Sequence, residues 1–237
     1  MASDPEPRND GLRLMRIQPR RPMTTIVCTA DLHENLIEIP ECDVLLIAGD
    51  ISFAFKGDLV AKQAFLAGAF REWLEEVPAA EIVLVAGNHD QSIQEWGLPH
   101  GLRCHYLEDE GAELFGLKFW GTPWQPWFHG WAFNAPRRHG ERFLASKFDL
   151  IPADTDILIC HGPPRGYGDH SGPSDGQPHV GSTALTEAIE RIQPRLMVCG
   201  HIHSGYGRYR LGVTEIVNAA HVDNDYRPVN PVVESTL

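Results

Sequence analysis

Short apolar runs rich in β-branched residues recur along the chain from residue 23 onward. Most of them are continuously apolar rather than alternating, which is typical of strands that are covered on both faces. The runs are TTIVCTADLH, DVLLIAGDI, EIVLVAGNHD, LKFWGTPW, DILICHG, LMVCGHIH and TEIVNAAH. They predict an α/β fold in which helices lie outside packed sheets.

Two segments between these runs show the apolar spacing of an amphipathic helix. In the first, apolar residues from Leu59 to Val77 recur at intervals of seven, four, three and four positions, and Pro78 ends the pattern. The second segment runs from about Ser182 to Ile192 and is followed closely by a proline. We expect one helix in each segment.

The first 22 residues differ from the rest of the chain. Polar residues, arginines and prolines dominate there and no apolar period is present, so residues 1–22 are predicted to form a flexible N-terminal arm. Residues 23–237 contain no internal repeat and no linker-like stretch. We therefore expect a single domain over residues 23–237 that ends in an extended C-terminal tail.

The charge balance limits the kinds of partner. Among 237 residues, 20 are Lys or Arg and 32 are Asp or Glu, which gives a net charge of −12 and argues against charge-driven binding to extended nucleic acid. No apolar stretch approaches the ~18 residues of a membrane span, and the N-terminal sequence lacks a signal-peptide pattern. Five scattered cysteines without a CxxC pair indicate a reducing, cytoplasmic location.

Metal-ligating residue types follow five of the predicted strands, at the point where each strand ends. They are Asp31 with His33, then Asp50, then Asn88 with His89 and Asp90, then His161, and finally His201 with His203. The carboxyl ends of strands form the ligand crevice of open α/β sheets, where unpaired polar groups would be costly to bury. Each fragment alone is compatible with ordinary turn chemistry. Together they predict a site for divalent cations, which bind carboxylate, amide and imidazole ligands.

The order of these fragments resembles that of the calcineurin-like metallophosphoesterases. The family pattern DxH, GD, GNH, HG, GHxH reads DLH, GD, GNHD, HG, GHIH here, and the resemblance covers about residues 23–222. The segments TPWQPWFHGWAFN, HGPPRGYGD and RPVNPVV are most similar to the metallophosphoesterase-domain (MPPED) subgroup, which resembles the class III cyclic-nucleotide phosphodiesterases. The implied fold is a four-layer αββα sandwich with two central mixed sheets.

The resemblance also implies a dinuclear metal site. The first ion would be held by Asp31, His33, Asp50 and His203, and the second by Asp50, Asn88, His161 and His201. Asp50 would thus be shared between the two ions. Mixed nitrogen and oxygen ligation without thiolate suits Mn, Fe, Zn or Co, and the sequence does not choose among these metals.

The implied reaction is hydrolysis of a phosphoester by a metal-bridging hydroxide that attacks phosphorus in line with the leaving group. His89 is not a metal ligand in this family pattern, and we expect it to stabilise the phosphoryl group or to protonate the leaving group, with a packing role as the alternative. Small diesters such as cyclic nucleotides are the leading substrates. A phosphomonoesterase and a nucleotide-binding regulator of low activity are the alternatives, and the presence of His203 argues against the regulator.

Further substrate contacts are expected beside the metals. Asn88 and His89 are candidates, as are Arg165 and His170 from the Gly- and Pro-rich segment after His161. Four tryptophans between positions 120 and 131 could stack on a nucleobase, but packing against the sheet is the favoured interpretation. The expected partner is a small phosphoester or nucleotide, with no membrane and no extended nucleic acid, and a homodimer stays open.

Overall fold

The computed structural model describes residues 23–53, 58–172 and 179–237. The strands are β1 (Thr25–Thr29), β2 (Cys42–Ala48), β3 (Ala79–Val85), β4 (His105–Tyr106), β5 (Glu110–Leu114), β6 (Leu117–Thr122), β7 (Ile157–Cys160), β8 (Leu196–Cys199), β9 (Gly207–Leu211), β10 (Thr214–Asn218) and β11 (Val233–Thr236). The helices are α1 (Leu59–Ala67), α2 (Ala69–Glu76), α3 (Gln91–Trp96), α4 (Gly140–Phe148) and α5 (Thr183–Ile192). Within these ranges, no helix is long and apolar enough to cross a membrane.

The strands form two mixed sheets. The first has the order β11-β1-β2-β3-β4 and the second the order β5-β6-β7-β8-β10-β9. Strands β1 to β4 are parallel, as are β6, β7, β8 and β10, whereas β11, β5 and β9 pair antiparallel at the edges. The loops that carry the expected metal ligands therefore leave the carboxyl ends of parallel strands.

Three apolar clusters hold the layers together. The cluster between the sheets contains inward-facing side chains such as Val44 and Leu46 from the first sheet and Ile159 and Val198 from the second, all of them buried. A second cluster joins α1 and α2 to the outer face of the first sheet, and a third joins α4 and α5 to the outer face of the second. This arrangement confirms the four-layer αββα sandwich.

The helix predicted over residues 59–77 is two helices rather than one. Gly68 separates α1 from α2. Its backbone angles, φ −107° and ψ −102°, lie outside the helical region, and glycine adopts such values readily. Val77 is extended, as expected for a residue that precedes proline. The second predicted helix is confirmed, and the Ser182 side chain caps it by accepting a hydrogen bond from the Leu185 backbone N–H.

The C-terminal residues return across the molecule to the first sheet. After β10 the chain runs through a loop at residues 219–232 and then pairs as β11 with β1, where Leu237 and Thr24 exchange backbone hydrogen bonds. The loop lies beside the carboxyl ends of the strands, so the tail contributes to the site. The predicted arm at residues 1–22 lies outside the described residues, and the single-domain assignment stays a prediction.

Candidate metal centre

Several of the expected ligands stand in the left-handed backbone region directly after their strands. Asp31 has φ 54°, Asp50 has φ 54° and His201 has φ 66°. Residues other than glycine rarely adopt such values, and strained positions of this kind cluster at functional sites.

Two glycines allow the carboxylates to approach the backbone of neighbouring loops. A Cβ atom on Gly200 would lie 2.1 Å from Asp31 Oδ2, and one on Gly87 would lie 2.2 Å from Asp50 Oδ1. No side chain fits at such distances. The glycines of the GNH and GHxH motifs are therefore required by close contact with the two aspartates, each from a different strand.

The first cluster consists of Asp31, His33 and His203, whose ligand atoms all lie within 4.8 Å of one another. His203 Nε2 is 3.5 Å from Asp31 Oδ1, and His33 Nε2 is 3.8 Å from Asp50 Oδ2. The backbone N–H of His201 donates to both oxygens of Asp31 at 3.1 and 2.9 Å, which fixes that carboxylate.

The second cluster consists of Asp50, His161 and His201 and satisfies the same 4.8 Å criterion. His161 Nε2 lies 3.4 Å from Asp50 Oδ2 and 3.0 Å from Asn88 Oδ1. Asp50 thus faces histidines from both clusters. The structure brings together all seven residues that the sequence singled out as ligands.

The orientation of three imidazoles fits a metal site. The Nδ1 atoms of His33, His161 and His203 face backbone carbonyls of Ser52, Ala48 and Asp223 at 3.1, 2.8 and 2.9 Å. Because a carbonyl only accepts, we assign a hydrogen to Nδ1 of each ring, so Nε2 is the atom that faces the carboxylates and binds a metal when it carries no proton.

At the centre of the site, imidazole nitrogens therefore face carboxylate and amide oxygens. His33 Nε2 is buried and has no hydrogen-bond partner among the described residues. Lone pairs of imidazole, amide and carboxylate groups that converge in a buried place are stabilised by cations. The residues present therefore fit divalent metals, with Asp50 as the group common to both positions.

Electrostatics at the site depend on Asp50. Burial acts to raise the pKa of Asp50, but His161 and His89 outweigh it and hold this pKa well below its usual range. Burial likewise acts against protonation of His161, but the Asp50 carboxylate prevails and raises the His161 pKa to about 9. At His201 burial dominates and lowers the pKa to about 3, so this imidazole is neutral and has the form that binds metals.

His89 lies between the two clusters and forms a third group with His33 and Asp50 by the same 4.8 Å criterion. Its Nε2 atom is 3.8 Å from Asp50 Oδ2, and its backbone N–H donates to Asp50 Oδ1 at 2.7 Å. His89 Nδ1 has no partner in the described part of the chain, so no hydrogen bond to the neighbouring Asp90 carboxylate orients this ring. The Asp90 carboxylate instead accepts from three backbone N–H groups, those of Ile51, Ser52 and Gly87, and joins the loops after β2 and β3.

A cleft of about 330 Å³ opens over the clusters. Its described lining comprises Asp50, Asn88, His89, Phe128, Ser171, His201, Ile202, His203, Ser204, Asn224 and Tyr226. Sequence reasoning missed Phe128, Asn224 and Tyr226. The Phe128 ring centroid lies 5.6 Å from that of His201, and the Tyr226 centroid lies 4.9 Å from that of His33. The lining residues that the structure describes include no lysine and no arginine.

Two predicted substrate contacts lie away from this lining. Arg165 is exposed and donates to the backbone carbonyl of His179 at 3.0 Å. His170 is also exposed and directly precedes Ser171, which lines the cleft. For both residues, contact with substrate stays a prediction.

The tryptophan-rich segment serves more than one purpose. Trp124 packs against Phe143, with ring centroids 5.1 Å apart, as the packing interpretation expected. Trp131 lies 4.1 Å from the His89 ring and supports the cleft, while Trp127 is 43% exposed beneath the Arg137 guanidinium. The segment therefore combines core packing with one wall of the site.

Residues 24–205 match the family model of the calcineurin-like phosphoesterases, and the chain belongs to this family. It is similar to metallophosphoesterase domain-containing protein 1 of human and of mouse, with 36% identity over 239 residues, 89% of this chain and 70% of each relative. One solved crystal structure superimposes with a TM-score of 0.60 at 16% identity, over 90% of this chain and 98% of that one. Protein TT1561 of Thermus thermophilus gives a TM-score of 0.50 at 16% identity, over 83% and 88% of the two chains. At such identities the structural matches show the fold alone.

Proposed function

We propose that the protein is a dinuclear metal-dependent phosphodiesterase that hydrolyses small diesters, with cyclic nucleotides as the leading class. The observation that carries the proposal is the position of Asp50, a buried carboxylate that faces His33 from one cluster and His161 from the other. A carboxylate in this position can be shared by two cations, as the reaction of this family requires.

Each ion would have its own ligand set. In this proposal the first ion is held by Asp31, His33, Asp50 and His203, and the second by Asp50, Asn88, His161 and His201. Two divalent ions supply positive charge for the phosphoryl oxygens and increase the acidity of bound water. The backbone carbonyls behind three of the histidines keep the ligand nitrogens directed at the ions.

His89 is the group that acts on the substrate rather than on the metals. It lines the cleft beside Asp50, and its ring is held by the edge of Trp131. Burial lowers the pKa of His89 to about 4, so the ring is neutral in the free protein; it would donate a hydrogen bond to a phosphoryl oxygen or, once protonated in the substrate complex, deliver a proton to the leaving oxygen. Loss of that proton donor harms poor leaving groups most, since good leaving groups depart as anions.

The composition of the cleft favours a diester over a monoester. A monoester dianion carries more negative charge than a diester monoanion and is best bound by additional cationic side chains. The described lining offers neutral hydroxyl, amide and aromatic groups instead, from Ser204, Asn224, Phe128 and Tyr226. A phosphomonoesterase with the same metals is the second candidate function. For either function, we propose that the protein is located in the cytoplasm.

The test compares two chromogenic substrates in Mn²⁺-loaded protein. We expect faster turnover of bis-p-nitrophenyl phosphate than of p-nitrophenyl phosphate, with two metals per chain by elemental analysis. Asp50→Asn is expected to lose both the metals and turnover. Preference for the monoester would support the phosphomonoesterase. Two bound metals with turnover of neither substrate, together with nucleotide binding by calorimetry, would support the regulator.

A further inference from the structure

A buried lysine from the outer helical layer reaches the loops that carry the metal ligands. Lys62 lies on α1 and is only 3% exposed. Its Nζ atom donates to the backbone carbonyl of His89 at 2.6 Å, to Oε1 of Gln91 at 2.7 Å and to the carbonyl of Phe53 at 3.1 Å. An ammonium group has three donors, and all three are used here.

These three acceptors come from two different connections. Phe53 lies in the loop after β2, which carries Asp50. His89 lies in the loop after β3, and Gln91 is the first residue of α3, which follows that loop. Asp90 joins the same two loops from the other side through its carboxylate. Burial lowers the pKa of Lys62, while the nearby carboxylates of Asp90, Asp50 and Glu34 act in the opposite direction and favour the cation.

We propose that Lys62 is a positioning residue for His89: it holds the His89 backbone so that the imidazole stays over Asp50 and in reach of the substrate. The proposal rests on the proposed function, because it assigns Lys62 a purpose in the same reaction. Lys62 lies outside the ligand clusters and outside the described lining of the cleft, so it acts through His89 rather than on the substrate.

The physical reason is the scarcity of other hydrogen bonds to His89. Its backbone N–H is fixed by Asp50, but its Nδ1 has no partner among the described residues, and the ring is otherwise held only by edge contacts with Trp131, His33 and Tyr226. Without Lys62, the buried His89 carbonyl and the partly buried Phe53 carbonyl lose their cationic donor, and the loop after β3 can shift. A displacement of about 1 Å at a reacting group can slow a reaction by roughly 100-fold.

The test uses Lys62→Met, which keeps length without charge, and Lys62→Gln as a second variant if the first fails to fold. Lys147→Met is the matched control, since Lys147 is a partly buried lysine that pairs with Asp109 at 2.7 Å outside the cleft. Turnover is measured on aryl methyl phosphates with leaving groups from p-nitrophenol to phenol. Metal content is measured on the same samples.

We expect Lys62→Met to keep two metals and to lose about 10- to 100-fold in turnover with phenol as the leaving group, but much less with p-nitrophenol. If Lys62 had only a structural role, its replacement would not change the dependence of turnover on the leaving group. In the His89→Ala background, Lys62→Met should cause no further loss. Lys147→Met should show the same dependence of turnover on the leaving group as the wild type.

An activity-independent measurement completes the test. In Zn²⁺-loaded protein with ¹⁵N-labelled histidine, the His89 ring signals should shift in both Lys62 variants and stay in place in Lys147→Met. Unshifted His89 signals, an unchanged dependence on leaving group, or an undiminished effect in the His89→Ala background would each overturn the proposal. Failure of the proposed function would show differently, as a wild-type protein that hydrolyses none of the esters.

Discussion

Replacing Gly200 by alanine should remove one metal ion while leaving the fold intact. The new Cβ would lie 2.1 Å from Asp31 Oδ2 and 2.5 Å from the Cβ of Ala30, whereas ordinary contacts begin at 3.4 Å. To relieve this contact, the Asp31 carboxylate must move by more than 1 Å. The buried strand before Asp31 cannot move away in its place. Metal–ligand distances tolerate only about 0.2 Å. Asp31 would no longer ligate, and overpacking would cost about 1–3 kcal/mol of unfolding free energy.

The assay measures bound Mn²⁺ by elemental analysis and calorimetry, and stability by urea denaturation of metal-free protein. We expect Gly200→Ala to bind one ion where the wild type binds two. Gly140→Ala is the matched control, since its Cβ would meet only the Ala135 side chain at 3.5 Å, at the start of α4. Two ions bound by Gly200→Ala with unchanged affinity would refute both the close contact and the assignment of Asp31 to the first ion.

Three further substitutions separate metal binding, chemistry and stability. His89→Asn should keep two metals and slow turnover of diesters with poor leaving groups by about 100-fold or more, measured by steady-state kinetics; unchanged turnover would exclude His89 from the reaction. Asp90→Asn should lower the free energy of unfolding by about 1–3 kcal/mol in metal-free protein, because an amide cannot accept all three backbone N–H groups. Ser182→Ala should cost about 1 kcal/mol by loss of the α5 cap and leave turnover unchanged; slower turnover would show that α5 positions the site.

The ligand set could be predicted from the sequence because it depends on few choices. Parallel strands end at one edge of a sheet, so residues such as Asp31 and Asp50, which follow β1 and β2, converge once the strands are recognised. The close contacts of the motif glycines became visible only in the structure, where Gly87 and Gly200 lie against the carboxylates of Asp50 and Asp31. What the sequence could not supply is the distance between the two sheets, which matters because each cluster combines ligands from loops of both sheets.

The walls of the cleft were not predictable in the same way. Tyr226 and Asn224 come from a loop without apolar periodicity, and their placement depends on contacts far along the chain, such as the pairing of β11 with β1. Lys62 could have been noticed in the sequence, although the apolar pattern alone does not single it out. It stands three residues after Leu59 and four before Leu66, on the inward face of α1. A charged residue at an apolar position of a helix indicates a buried partner.

The hydrogen bond from His203 Nδ1 to the Asp223 carbonyl has a consequence for how the protein is handled. The same short loop presents Asn224 and Tyr226 to the cleft, and Arg227 braces it by pairing with Asp223 at 2.6 Å. If the first metal position is only partly occupied, the shape of the cleft that a substrate enters therefore changes, as does the rate of its hydrolysis. Preparations that differ in metal content should rank the same compounds in different orders.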